Sequence, residues 1–514
     1  MKSRTLMFIS AMTLFASLPL PVQPAAQEQT THFRHYKLID IGTFGGPESF
    51  VNAPFNDSPI LNNHGTIVGG SATSIPTTSI SNFFVCGGAD GIVPNVFHGF
   101  KWQSGAVTDL GAFAPNDENC SNAVSVNANG EIVGLSEVGE IDPLFGVKEL
   151  RGVLWKDGEM IDLGTLGGNF TIPTAINNRA QVVGGATNTV PDPFGFGTQT
   201  RAFLWEHGVM KDLGTLGGPD SFAEFVNERG QVEGFSFINS TPNPVTGLPT
   251  GHPFLWENGR MLDLGSLGGT LAGNGGLNQQ GALNNRGQVV GLSNLAGDQV
   301  AHPFLWDAGT LTDLNTETIG GSPESANALN DAGEIVGTAV FAGRPLSDAY
   351  RWRKGVATDL GAVEDDCFSE AWAINSRNQI TGLSYSCTSN VPRTFLWENG
   401  SIVDLNALSS PHSLQLINGV AINDRGEIGG EGLPPGCSDD AACGHAYLLI
   451  PVCTDGNEGC ADAPLDPAVV AKSRTAARPR AMTAEELKSF KERLARIRAR
   501  RANRNRGFGE QLQK

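Results

Sequence analysis

Eight carboxylates recur in one motif, D-[LI]-[GN], at Asp40, Asp109, Asp162, Asp212, Asp263, Asp313, Asp359 and Asp404. Brought together, such groups could bind cations or exchange protons. Four histidines, His98, His252, His302 and His445, share one position of the same repeat and offer imidazoles to a metal. Seven tryptophans, at 102, 155, 205, 256, 306, 352 and 397, could stack on sugar rings. Asp455, Asn457 and Asp462 carry oxygens suited to Ca²⁺, in a segment that lacks the full EF-hand spacing.

Repetition argues against most of this chemistry. Metal ligands must converge to about 2 Å from one ion, whereas equivalent positions on successive repeats point apart. No metal is therefore expected at the histidines. Each Asp is expected to cap the Gly-rich turn that follows it, and each repeated Trp to pack against the next unit. The Gly-Thr-Leu-Gly-Gly segments are crossings, since they lack the Lys and helix of a phosphate loop. Trp372 breaks the repeat and is expected beside a central channel, where it could meet a ligand.

The elements that would position these residues follow from three landmarks, each present eight times. D-[LI]-[GN] is one. An Asn-x-x-Gly turn is the second, starting at Asn62, Asn127, Asn177, Asn227, Asn284, Asn330, Asn375 and Asn423, with Ala180 and Asn378 in place of Gly in two copies. The third is a short aromatic strand ending in Trp, with His445–Leu449 as a copy lacking it. Residues 252–265, HPFLWENGRMLDLG, read as a hairpin, and so do residues 174–186, TAINNRAQVVGGA. Two hairpins per repeat give strands a, b, c and d. The fold class expected is all-β: an eight-bladed propeller of four-stranded blades, with a helical basic tail. The chain starts on a lone strand d at Tyr36 and ends on a lone strand c at His445 to Val452, and their pairing would close the ring and remove both edges.

The predicted organisation is a signal peptide over 1–26, a linker over 27–35, the propeller over 36–452, a disulfide-closed loop over 453–463, a linker over 464–481 and a basic amphipathic helix and tail over 482–514. Lys2 and Arg4 followed by Leu6 to Leu20 read as an export signal, too short to span a membrane. In an exported chain the eight cysteines are expected as four local disulfides: Cys86–Cys120, Cys367–Cys387, Cys437–Cys443 and Cys453–Cys460. The a–b and c–d turns share one uniform face. The b–c and d–a loops share a variable one, with long b–c loops at 72–96, 137–150, 187–200 and 237–251. Binding is expected there, with Phe83, Phe84, Asp90, Phe194, Phe196 and Trp372 as candidate ligand-binding residues.

The net charge of −18 conceals a tail, Leu465 to Lys514, with 14 basic and 5 acidic residues, hence +9 against −27 for the body. An acidic body excludes nucleic acid as its partner. In the tail, Thr483 and Glu486 form a capping box, and Leu487, Phe490, Leu494 and Ile497 an apolar stripe, fit for an anionic surface or for the propeller itself.

Residues 252–269 (HPFLWENGRMLDLGSLGG), residues 201–218 (RAFLWEHGVMKDLGTLGG) and the A-x-x-x-N-x-x-G-Q-V-x-G segments resemble the bacterial extracellular HAF repeat family over 36–452. The copies read His-Pro-Phe, His-Gly-Phe, Arg-Ala-Phe or His-Ala-Tyr rather than His-Ala-Phe. The resemblance implies an exported repeat protein and supplies no catalytic residues. The expected function is a secreted, extracellular or periplasmic monomer that binds carbohydrate or protein without catalysis and needs no cofactor beyond a possible Ca²⁺ near Asp455. A polysaccharide lyase or hydrolase with its site near the channel, or an adhesive protein tethered by the tail, are the alternatives.

Overall fold

In this computed structural model, residues 33–475 are described apart from 52–58, 78–82, 89–90, 93, 115–117, 195–196, 245–246, 274–280, 317, 345, 387–391 and 458–459, together with residue 488. The predicted signal peptide and nearly all of the predicted tail helix lie outside these residues.

Alternating β-branched, aromatic and small residues build antiparallel strands throughout. Among the described residues, eight units repeat the order a-b-c-d, the fourth and fifth joined by one parallel pair, Gly251 with Leu271. The third unit is typical: Thr171–Ile176, Val182–Pro191, Thr198–Glu206 and Val209–Asp212. The last unit takes a, b and c from Gln415–Ile422, Ile428–Leu433 and His445–Cys453, and its strand d is Arg34–Asp40. The two chain ends are thus zipped from Arg34 opposite Cys453 to Asp40 opposite Tyr447. This strand starts at Arg34, two residues before the predicted start. Arg34 is 1% exposed and is ion-paired with Glu398 of the seventh unit.

Strand a carries a β-bulge in several units, skipping Val124, Thr174, Glu224 and Trp372. The bulge brings a strand a carbonyl close to strand b, which explains the repeated Gly there. A Cβ on Gly234 would stand 2.1 Å from the Phe222 carbonyl oxygen. The strand c ring stacks on the same spot, as buried Phe203, Phe254, Phe304 and Phe395. The buried strand c Trp side chains face the preceding unit rather than the next. Trp256 clusters with Val183, Leu204 and Leu213, and Trp155 Nε1 donates to the Leu110 carbonyl at 3.0 Å. The handed twist between sheets decides which neighbour a strand c residue meets, and periodicity carries no trace of it.

The Asn of every a–b turn binds its own turn and its neighbour's. In the fourth unit, Asn227 Oδ1 accepts from the Arg229 and Gln231 N–H groups at 3.0 Å each, and Nδ2 donates to Gln231 Oε1 at 2.8 Å. Its Nδ2 also donates to the Asn284 carbonyl, 3.0 Å away in the next turn. The same inter-turn bond runs from Asn62 to Asn127, Asn127 to Asn177, Asn177 to Asn227, Asn284 to Asn330, Asn330 to Asn375 and Asn375 to Asn423. Asn423 then donates to Asn62 at 2.8 Å and closes the circle. Ala180 and Asn378 hold the turn's left-handed position at φ 57° and 61°.

Residues 464–481, predicted as a linker, include the helix Pro467–Thr475. Leu465, Val469 and Val470 pack on the closing unit's core with Tyr36, Leu414 and Leu416, and this tertiary burial overrides an Ala/Pro/Arg-rich composition.

Replacing Asn227 by Asp keeps the acceptor and removes both donors. Asn227→Asp should lose at least about 2 kcal/mol in urea unfolding, because it leaves buried acceptors unpaired and adds a buried charge. An unchanged unfolding midpoint would contradict the ring's role.

Candidate functional site

The eight Asp residues cap as their sequence position predicts. Oδ1 of Asp109, Asp212 and Asp263 accepts the N–H two residues on at 2.7 Å in each case. The histidines are held singly, each by an Asp of its own unit: His98–Asp109, His252–Asp263 and His445–Asp40 at 2.9 Å, His302–Asp313 at 2.8 Å. Burial pushes the Asp109 carboxyl up, but the hydrogen bonds from His98 and the Gly111 N–H outweigh it and hold the group below its ordinary range. Asp462 turns to Arg377 at 2.6 Å, while Asp455 accepts from Asn457 Nδ2 at 2.8 Å, so the two carboxylates serve separate partners.

Inside the ring of Asn turns lies a cavity of ≈ 380 Å³. Ile60, Val126, Ile176 and Leu283 are among its apolar lining, and Glu228, Asp331 and Asp424 are on its polar rim. Trp372 is 4% exposed and clusters with Cys367, Leu383 and Val420 in the core; the cavity wall in its unit is Ala373 and Ile374.

The opposite face is asymmetric. Strand b spans 10, 10, 10 and 11 residues in the first four units: Ile67–Pro76, Ile132–Ile141, Val182–Pro191 and Val232–Pro242. It spans only 7, 6, 6 and 6 in the other four: Val289–Leu295, Ile335–Val340, Ile380–Tyr385 and Ile428–Leu433. The stretches predicted as long loops are in these four units, and much of each is strand. They project as hairpin arms beyond a register shift, such as that between Thr187 and Pro191. Local sequence shows the insertion but not its pairing.

The tips of the second and third arms are built alike, the third with the Phe194 N–H donating to Asp192 Oδ2 at 3.2 Å. Asp142 Oδ1 accepts from the Leu144 and Phe145 N–H groups at 2.9 and 2.7 Å, an Asx-turn that sets the tip conformation. Ile141, Leu144, Phe145 and Val190 stand 42%, 62%, 44% and 48% exposed on neighbouring arms. Phe194 is half-buried, 6.4 Å from the Phe237 ring of the next arm. Phe83 and Phe84 belong to a short helix, Phe83–Cys86, in the first unit's b–c connection. Asp90 and Phe196 lie outside the described residues.

Disulfides fasten both faces. Cys86–Cys120 links the first b–c connection to the crossing into the second unit, and Cys437–Cys443 closes on itself the last unit's b–c loop. Cys453–Cys460 lies on the opposite face, past the end of the last strand c, where Asp462 meets Arg377 of an Asn turn. Cys367 is disulfide-bonded, and Cys387 lies outside the described residues.

Composition gave no warning of a buried acid pair. Glu224 and Glu233 are each 1% exposed. Glu224 occupies the bulge position that Trp372 fills elsewhere, and Glu233 the strand b position held by Val133, Val183 and Val290 in other units. The Val-to-Glu exchange at 233 was the available signal. Burial, then the charge of Glu224, pushes the Glu233 carboxyl well above the ordinary range.

No family model matches the chain, and no curated protein does. Among solved structures it is similar to TolB from Acinetobacter baumannii (13% identity, 50% of this chain and 57% of that one, TM-score 0.28). It is also similar to Porphyromonas gingivalis dipeptidyl peptidase 4 (8% identity, 77% and 58%, TM-score 0.42). A third is XC5397 of Xanthomonas campestris, a gluconolactonase (12% identity, 61% and 95%, TM-score 0.28). The chain spans less than two thirds of the length of the first two.

A carboxyl raised by the fold favours folding only while protonated, so Glu233 contributes stability at low pH that is lost as pH rises. Glu233→Val, restoring the residue of other units, should gain at least about 1 kcal/mol at pH 8 and less at pH 5 in urea unfolding. A variant less stable than the parent at pH 8 would refute this reading of the pair.

Proposed function

We propose that this chain is an exported eight-bladed β-propeller of the HAF repeat type that works as a binding scaffold without catalysis. Its ligand, an extracellular carbohydrate or protein, sits on the face of the b–c and d–a loops. One observation carries the reading: the adjacent arms of the second and third units present exposed apolar side chains on that face, from backbones held by inter-unit hydrogen bonds. Rigid projecting hairpins with apolar tips supply preformed contact area at little ordering cost.

Two further observations support it. Disulfides suit an oxidising compartment. Among the described residues no helix is long and apolar enough to cross a membrane.

Glycan arrays and arrays of envelope proteins, run beside hydrolysis and lyase screens on the same polysaccharides, test the proposal. Leu144→Asp with Phe145→Asp should weaken binding at least tenfold while leaving Tm within about 2 °C, because both side chains are exposed. Unchanged binding by the double variant, or product release from any polysaccharide, would overturn it.

A further inference from the structure

We propose that the basic amphipathic segment 482–501 of this chain folds back onto the apolar tips of the second and third arms and covers them in the absence of ligand. The two tips form one surface. A Cβ on Gly197 of the third arm would stand 2.7 Å from Leu144 Cδ2 and 3.8 Å from the Phe145 ring, so the second arm leans on its neighbour. Ile141, Leu144, Phe145 and Val190, each at least 42% exposed, lie on either side of that junction. Pro143, Pro191 and Pro193 are exposed beside them.

The tips' own polar groups are turned inward. Asp142 gives one carboxylate oxygen to its turn and the other to Asn169, and Asp192 accepts from the Phe194 N–H. An occupant of the tips must therefore contribute apolar side chains, because polar groups buried there would lose water without finding partners. Charge then selects among apolar occupants. Residues 137–150 and 187–200 hold five acidic residues and one basic, on an acidic body. Segment 482–501 holds seven basic residues and three acidic, around the stripe of Leu487, Phe490, Leu494 and Ile497. An apolar stripe in a basic frame complements apolar tips in an acidic one.

The segment is tethered within reach. Leu465, Val469 and Val470 hold the helix Pro467–Thr475 on the closing unit. Beyond it, residues 476–483 can extend about 27 Å, and a helix over 484–501 adds about 27 Å. A domain of this size has a radius of gyration of about 22 Å, so the stripe can reach arms on the far side of the ring. The consequence for ligand binding, competition between segment and ligand, rests on the proposed binding face. The docking itself does not, and it is tested without ligand.

The test is amide hydrogen exchange by mass spectrometry on the full chain, on a chain truncated after Thr475, and on the full-length double variant Leu487→Glu with Phe490→Glu. Residues 138–148 and 188–194 should exchange at least threefold faster in both altered chains than in the parent. Residues 171–176, in the core, should exchange alike in all three. The parent's protection should survive tenfold dilution, since the contact lies within one chain. Equal exchange at the tips in the parent and the double variant would overturn the proposal. So would protection that is lost on dilution, or a segment protected only on vesicles of anionic phospholipid.

Discussion

A primary amide has two donors and two acceptor lone pairs, and eight buried Asn side chains use theirs in the same way. Each spends its oxygen on its own turn, and each sends a donor to the carbonyl of the next turn. A turn so built is satisfied only if another follows it. The last must therefore meet the first, which Asn423 does at Asn62. Leaving one such buried group unpaired costs about 1–3 kcal/mol, so an open array would bear that cost at its free end. The shared last unit, with strand d drawn from Arg34–Asp40, is the sheet-level form of the same requirement. Arg34, buried against Glu398, adds a charged contact at the same seam.

Because the Asn turns fix the inner rim, variation is confined to the other face. The repeat tolerates arms of different length there since they lie beyond the register that the core dictates. One departure from the repeat carries an acid into a place where neighbours hold an apolar group: Glu233 stands where other units have Val. It is buried in the core and couples protonation to stability.

Much of this was legible in the sequence because the repeat's signals are local. Asp-Leu-Gly caps itself, Asn-x-x-Gly turns on itself, and a lone strand at each end implies its missing partner. The illegible part depends on contacts between units. Nothing local says that a strand c Trp meets the preceding unit, that the loop at 187–200 extends a hairpin, or that Leu465, Val469 and Val470 will find the closing unit's core. Trp372 drew notice by size, while Glu224, at the same bulge position, did not, since a Glu in a strand reads as solvent-facing until its burial is known.

Closure is the claim on which the rest depends, and native-state hydrogen exchange of the first strand tests it most directly. If the chain ends are zipped into one unit, the amides of Arg34–Asp40 should exchange only with global unfolding, at the same free energy as those of Thr171–Ile176 in an interior strand. Exchange of Arg34–Asp40 through local fraying, with the interior strands still fully protected, would show an open array and contradict the account.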